Sequence, residues 1–130
     1  MPKVWTLSQE LKMQLKCLSS QTIQTIIQMK KDAISERIAN PEAIAFTQTP
    51  NEIALKSLIE QLNKNEKAEL QALMWVGRRA ISGQVVDFDK LLKRSERNLD
   101  DVGDYVGSNY SLVAYLEKGL EVLNLGKHAG

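Results

Sequence analysis

The stretch E-L-Q-A-L-M-W-V-G-R-R, Glu69 to Arg79, decides how the rest of the chain is read. Its middle, Ala72-Leu73-Met74-Trp75-Val76, is an unbroken apolar run. Leu70, Leu73, Met74 and Gly77 fall at helical spacing, and Trp75 and Val76 carry the apolar arc most of the way round. A helix that is apolar on nearly every side is a buried one. The stretch therefore reads as a central rod with Trp75 in the core, against which the other helices pack. It stops at Gly77-Arg78-Arg79, so one end of the rod carries two cations.

Upstream of the rod, Thr49-Pro50-Asn51-Glu52 is the clearest local signal. A threonine N-cap, a proline at the first helical position and a glutamate at the third form a capping box with its preferred N1 residue. The helix that follows carries Ile53, Leu55, Leu58, Ile59 and Leu62 on its apolar face. Asn63 and Glu66 repeat the device at the start of the rod. So short a connection predicts antiparallel neighbours. Further back, Leu7, Leu11, Leu15 and Leu18 draw one helical stripe, and residues 1–17 read as an N-terminal helical extension. The paired serines Ser19 and Ser20 argue for a break rather than one helix from Ser8 to Ile38. Ile23, Ile26, Ile27 and Ile34 then mark a helix from Gln21 to about Ile38. Asn40-Pro41 ends it, because proline disfavours helical geometry in the residue before it. Ile44 and Phe46 lie in what reads as an anchored loop.

Downstream, Ser82-Gly83 supplies the stop of the rod. Asp87 caps a helix with Phe88, Leu91 and Leu92 on one side and Lys90, Lys93, Arg94, Glu96 and Arg97 on the other. Asp100, Asp101 and Asp104 bracket a short helical turn through Tyr105. Gly107-Ser108-Asn109 resets the chain, and Ser108 is expected to cap a last helix striped by Leu112, Leu116 and Leu123. Gly126 is expected to close it and residues 127–130 to fray. Strand signals are too few for a sheet. The expectation is an all-α, compact bundle of four to six helices around a central buried helix, forming a single helical domain over residues 1–130.

At 130 residues the chain is long enough to bury a real core. Its 43% hydrophobic and 25% charged residues are those of an ordinary globular protein. No apolar run approaches the roughly 20 residues a bilayer requires, and no secretory leader pattern opens the sequence. No membrane role is expected. Cys17 is the one cysteine, so no internal disulfide forms, and a cytoplasmic location is expected. Cys17 itself reads as a small core residue.

Two segments, E-L-Q-A-L-M-W-V-G-R (Glu69 to Arg78) and Y-V-G-S-N-Y-S-L-V-A-Y-L-E-K-G-L (Tyr105 to Leu120), resemble a small bacterial domain family of unknown function. Leu18 to Ile27 resembles a third segment of that family. The chain departs from the pattern where the family often continues G-R-G-D, against Gly77-Arg78-Arg79-Ala80, and where it often has proline, against Asn109. The resemblance implies an all-helical fold and assigns no activity.

The inventory disfavours several chemistries. One histidine, His128, at the tail and one cysteine make no zinc site. Asp100-Asp101-Val102-Gly103-Asp104 lacks the ligand order and closing glutamate of a calcium loop. No nucleophile elbow, phosphate loop or dinucleotide motif is present. The reading leans away from an enzyme and expects no cofactor. The basic concentration is Arg78, Arg79, Lys90, Lys93, Arg94 and Arg97, from the two helices flanking the Ile81–Asp87 loop. It reads either as a solvated face with ion pairs such as Lys93 to Glu96, or as a phosphate contact. A structural hub is expected at Trp75, Gly77, Arg78, Tyr105 and Tyr115. There Gly77 admits a close helix and Arg78 pairs with Glu117 or Asp104. The leading functional expectation is a non-enzymatic interaction module, self-associating as a homodimer or binding another protein. It rests on surplus apolar surface on the Leu7–Leu18 and Ile23–Ile34 stripes. The alternative is a nucleic-acid-associated accessory protein using the basic cluster, despite a net charge of only +1.

Overall fold

In the computed structural model, which describes residues 15–40 and 47–128 with side chains to residue 124, six helices follow one another. They are α1 (Ser20–Ala39), α2 (Pro50–Gln61), α3 (Lys64–Ile81), α4 (Phe88–Glu96), α5 (Val102–Gly107) and α6 (Leu112–His128). No strand occurs among the described residues, so the fold is an all-α bundle. Among them, too, no helix is long and apolar enough to cross a membrane.

The helix starts follow from local chemistry. Thr49 and Asn63 each accept from the N3 backbone while Glu52 and Glu66 reach back to the cap, giving two complete capping boxes. Ser19 caps α1 through the Thr22 amide, and Asp87 caps α4 through that of Lys90. The break at the paired serines is therefore real. Leu15 to Leu18 are not helical, although Leu15 and Leu18 are both buried. The remainder of the expected N-terminal extension, with Leu7 and Leu11, and the loop residues Ile44 and Phe46 lie outside the described residues. The last helix starts later than expected. Ser108 closes α5 instead, and Asn109 Oδ1 accepts from the Ser111 amide at 2.8 Å to turn the chain into α6. Gly126 does not end that helix, which continues to His128.

α3 is the centre. From Ala68 to Gly77 every residue but Trp75 is buried. Its principal partners are α6 and then α4. α2 is not its antiparallel companion, as the short connection suggested; α2 packs on α5 and α1. The reason is local: Leu62 and Asn63 are both extended, with ψ of 150° and 171°, so the chain steps sideways between the capping boxes. Leu55 and Ile59 of α2 join Val102 and Val106 of α5 and Ile23, Ile26 and Ile27 of α1 in one continuous core. Ile23, Ile26 and Ile27 of the isoleucine stripe are thus core rather than surplus surface.

α3 and α6 cross at unusually short range. A Cβ at Gly77 would lie 1.8 Å from the Tyr115 carbonyl oxygen, and one at Gly119 would lie 2.6 Å from that of Leu73. Only glycine fits where two backbones meet so closely.

Two polar residues of α3 are buried with fixed partners. Glu69 accepts three successive backbone amides, from Lys16 at 2.9 Å, Cys17 at 3.0 Å and Leu18 at 2.8 Å. It clamps the turn before α1 onto the central helix. Cys17 is consequently exposed rather than core, since its backbone and not its side chain faces inward. Partial desolvation and the negative charges of Glu69 and Glu66 push its thiol pKa up. Gln71 donates to Ser95 Oγ at 3.0 Å and to the Asn98 carbonyl at 2.9 Å, and Ser95 donates to the Ala68 carbonyl at 2.7 Å. That network ties α3 to the end of α4.

Candidate functional site

The C-terminal end of α3 is shaped by its cap. Gly83 adopts φ of +72°, which glycine tolerates and other residues resist. The Gly83 amide donates to the Ala80 carbonyl at 3.1 Å and the Gln84 amide to that of Arg79 at 2.8 Å. This pair of bonds is a Schellman motif, and it folds Gln84 and Val85 back over the last turn. Arg79 Nε donates to the Val85 carbonyl at 2.8 Å, which fixes the direction of its guanidinium.

A pocket of about 170 Å³ opens beside this cap, lined by Trp75, Arg78, Arg79, Gln84, Arg94 and Tyr105, with Leu91 at its floor. Trp75 is half-buried, not the enclosed centre the apolar run suggested. The indole N–H finds a polar partner at the rim: Nε1 donates to Tyr105 Oη at 3.1 Å. The Arg94 guanidinium lies 5.8 Å from the centroid of the indole ring, within cation–π range. Arg78 stands one turn after Trp75 and is exposed. It pairs with neither expected carboxylate, because Glu117 lies 3.9 Å from Lys31 and Asp104 lies 3.7 Å from Lys56. Among the described residues none of the three arginines is in an ion pair, nor is Lys93 with Glu96. No carboxylate lines the pocket.

The six expected cations therefore divide. Arg78, Arg79 and Arg94 converge on the pocket beside Trp75, whereas Lys90 and Lys93 on α4 and Arg97 at its C-cap are exposed outside the pocket. At about 100° per residue on a helix, Lys90 and Arg97 lie within about 60° of Arg94, and Lys93 lies further round. The basic band thus continues from the pocket over the outer face of α4, with Asp89 and Glu96 beyond it. Arg78, Arg79 and Arg94 occupy the last turns of α3 and α4, where the helix dipole favours cations. That accounts for their presence but not for their convergence on an aromatic pair.

The expected hub divides as well. Trp75, Arg78 and Tyr105 belong to the pocket. Gly77 and Tyr115 belong to the crossing of α3 with α6, on another side of the helix. Gln84 escaped the sequence reading, although its position directly after Ser82-Gly83 is the one that a Schellman cap turns back.

Comparison with known proteins gives one positive finding. A family described as a protein of unknown function, DUF3775, matches residues 52–125. The match runs from the first turn of α2 into α6 and includes Trp75, all six cations and both crossing glycines. α1 lies outside it. No curated protein and no solved structure matches the chain. With more than half of its residues inside the family match, the chain belongs to the DUF3775 family.

Proposed function

We propose that the protein is a non-enzymatic module that binds single-stranded nucleic acid at the Trp75 pocket and along the basic band of α4. The observation that carries the reading is the convergence of three arginines, without ion-pair partners among the described residues, on a pocket with a tryptophan–tyrosine pair and no acid in its lining. Guanidinium groups suit phosphate oxygens because their planar fork can donate two hydrogen bonds at once. Tyr105, 41% exposed, offers a face for base stacking. A pocket of about 170 Å³ suits one nucleotide moiety rather than a whole strand, and Lys90, Lys93 and Arg97 then lie along the path of neighbouring phosphates. A single strand suits this arrangement better than a duplex, whose bases are not free to stack.

Self-association has less support. Of the two stripes that motivated it, Ile23, Ile26 and Ile27 are buried in the core, and Leu7 and Leu11 lie outside the described residues.

Fluorescence anisotropy with a labelled single-stranded oligonucleotide tests the proposal. Binding should weaken with salt, with a slope of log K against log[salt] of about −0.7 for each phosphate neutralised. Arg78→Ala, Arg79→Ala and Arg94→Ala should each weaken binding and reduce that slope by about 0.7. Tyr105→Ala should cost about 1–3 kcal/mol of affinity with the slope unchanged, because stacking releases no counterions. Absence of binding at low salt, or binding indifferent to all four substitutions, would overturn the proposal.

A further inference from the structure

A second and larger cavity lies on another side of the molecule, between α1, α2 and α5. Its volume is about 460 Å³, within the range of small-molecule sites. Ala33, Ile34 and Ile38 of α1 form an apolar wall. Ile38, 74% exposed, and Tyr110, 80% exposed, stand at its mouth. They are two of the few large apolar side chains that the described residues leave in water.

Five charged residues line the cavity, and four are matched: Arg37 pairs with Glu52 and Lys56 with Asp104. The fifth is Lys30, only 6% exposed. Its Nζ donates to the Gly107 carbonyl at 2.7 Å, at the end of α5. An ammonium has three N–H donors, and among the described residues this bond is the one hydrogen bond that Lys30 makes. The Tyr110 ring lies 6.0 Å from Nζ. Burial pulls the Lys30 pKa down, and the charge of Glu52 opposes it only in part. A cation so placed serves as a cap for α5, but among the described residues capping leaves two donors and one positive charge unmatched.

We infer that this cavity binds an amphipathic monocarboxylate, whose carboxylate meets Lys30 and whose aliphatic or aryl body lies between the Ala33–Ile38 wall and Tyr110. One negative charge on the ligand matches the single unmatched cation. A dianion would exceed it, and a cation would be repelled. A neutral ligand would leave the desolvated ammonium without a counter-charge, which is costly in a buried site. The inference uses none of the residues of the Trp75 pocket, so the two readings stand or fall separately.

Titration of the ¹⁵N-labelled protein with octanoate, followed by amide chemical shifts, tests it. Saturable shifts are expected at Ala33, Ile34, Gly107 and Ser108, with Trp75, Arg78 and Arg94 unmoved. 1-Octanol and octylamine should bind about tenfold more weakly or worse, since each lacks the charge that pairs with Lys30. Lys30→Met keeps the length of the side chain and should remove the preference for octanoate over octanol. Lys30→Arg should retain it. Should Lys30→Met fail to fold, the comparison of octanoate with octanol on the unaltered protein still decides. Equal binding of acid and alcohol, shifts confined to the Trp75 pocket, or no shift at millimolar octanoate would each overturn the inference.

Discussion

Glu52 performs two tasks with one carboxylate. It completes the capping box by accepting the Thr49 amide at 2.9 Å, and it pairs with Arg37 across the gap between α1 and α2. The Arg37 guanidinium holds its carboxyl below the ordinary range against a smaller opposing effect of burial, and the Thr49 amide adds to the lowering. Folded Glu52 therefore binds fewer protons than unfolded Glu52 at mildly acidic pH. The stability it contributes is complete above the unfolded glutamate pKa of about 4.3 and is lost as pH falls through the depressed folded value. Thermal melts followed by circular dichroism from pH 6 down to pH 3 should show a steep fall in Tm. Arg37→Leu should lower Tm at pH 6 and flatten that fall, because Glu52 then titrates closer to its unfolded value. The capping half of this site was legible in the sequence, since Thr49 and Glu52 are three residues apart. The pairing half was not, since Arg37 lies 15 residues away on another helix. The same limit hid Glu69 and Gln71. Within an apolar run their polarity is visible, but their partners come from residues 16–18 and from the end of α4.

The helices themselves were largely readable because their ends are written locally, in two capping boxes, a serine pair and a Ser-Gly stop. Their pairing was less so. Nothing in Leu62-Asn63 announces extended backbone, and the displacement of α2 onto α5 follows from it. Trp75 was placed too deep because periodicity records hydrophobicity and not the demand of an indole N–H for a partner. Gly77 is the opposite case: a small residue inside a helix signals a close neighbour, and the Tyr115 backbone is that neighbour. Gly77→Ala would gain about 1 kcal/mol of helix propensity. The new methyl would nevertheless meet a backbone carbonyl that has no rotamer to escape into. Overpacking of this kind costs about 1–3 kcal/mol or more, and the 1.8 Å approach places Gly77→Ala at or above the upper end. Chemical denaturation should therefore show a large loss of stability. Gly119→Ala, with 2.6 Å to a carbonyl, should show a smaller one. An unchanged midpoint for Gly77→Ala would mean that the two helices separate freely.

The molecule is organised around α3, as its apolar run implied, with the two proposed binding sites at its periphery. The Trp75 pocket sits at the C-terminal end of α3 and the Lys30 cavity beside α1, and neither uses the residues that hold the bundle together at the α3–α6 crossing. The cavity was the least legible feature, because Lys30 looks in sequence like the solvated Lys31 beside it, and its burial follows from the tertiary packing that sets its Nζ on the Gly107 carbonyl. The family match begins after α1, yet α1 supplies part of the shared core and the turn before it is held by a carboxylate of α3. That clamp has a kinetic consequence. The amides of Lys16, Cys17 and Leu18 belong to no helix, and by local structure alone they would exchange with solvent deuterium as fast as a loop. Bonded to a buried side chain more than 50 positions away, they are released only when the turn before α1 leaves α3. Their exchange should therefore be slow, and should keep pace with that of Ile26 and Ile27 as one cooperative opening. In Glu69→Ala the three amides should exchange rapidly while those in the middle of α3 stay protected.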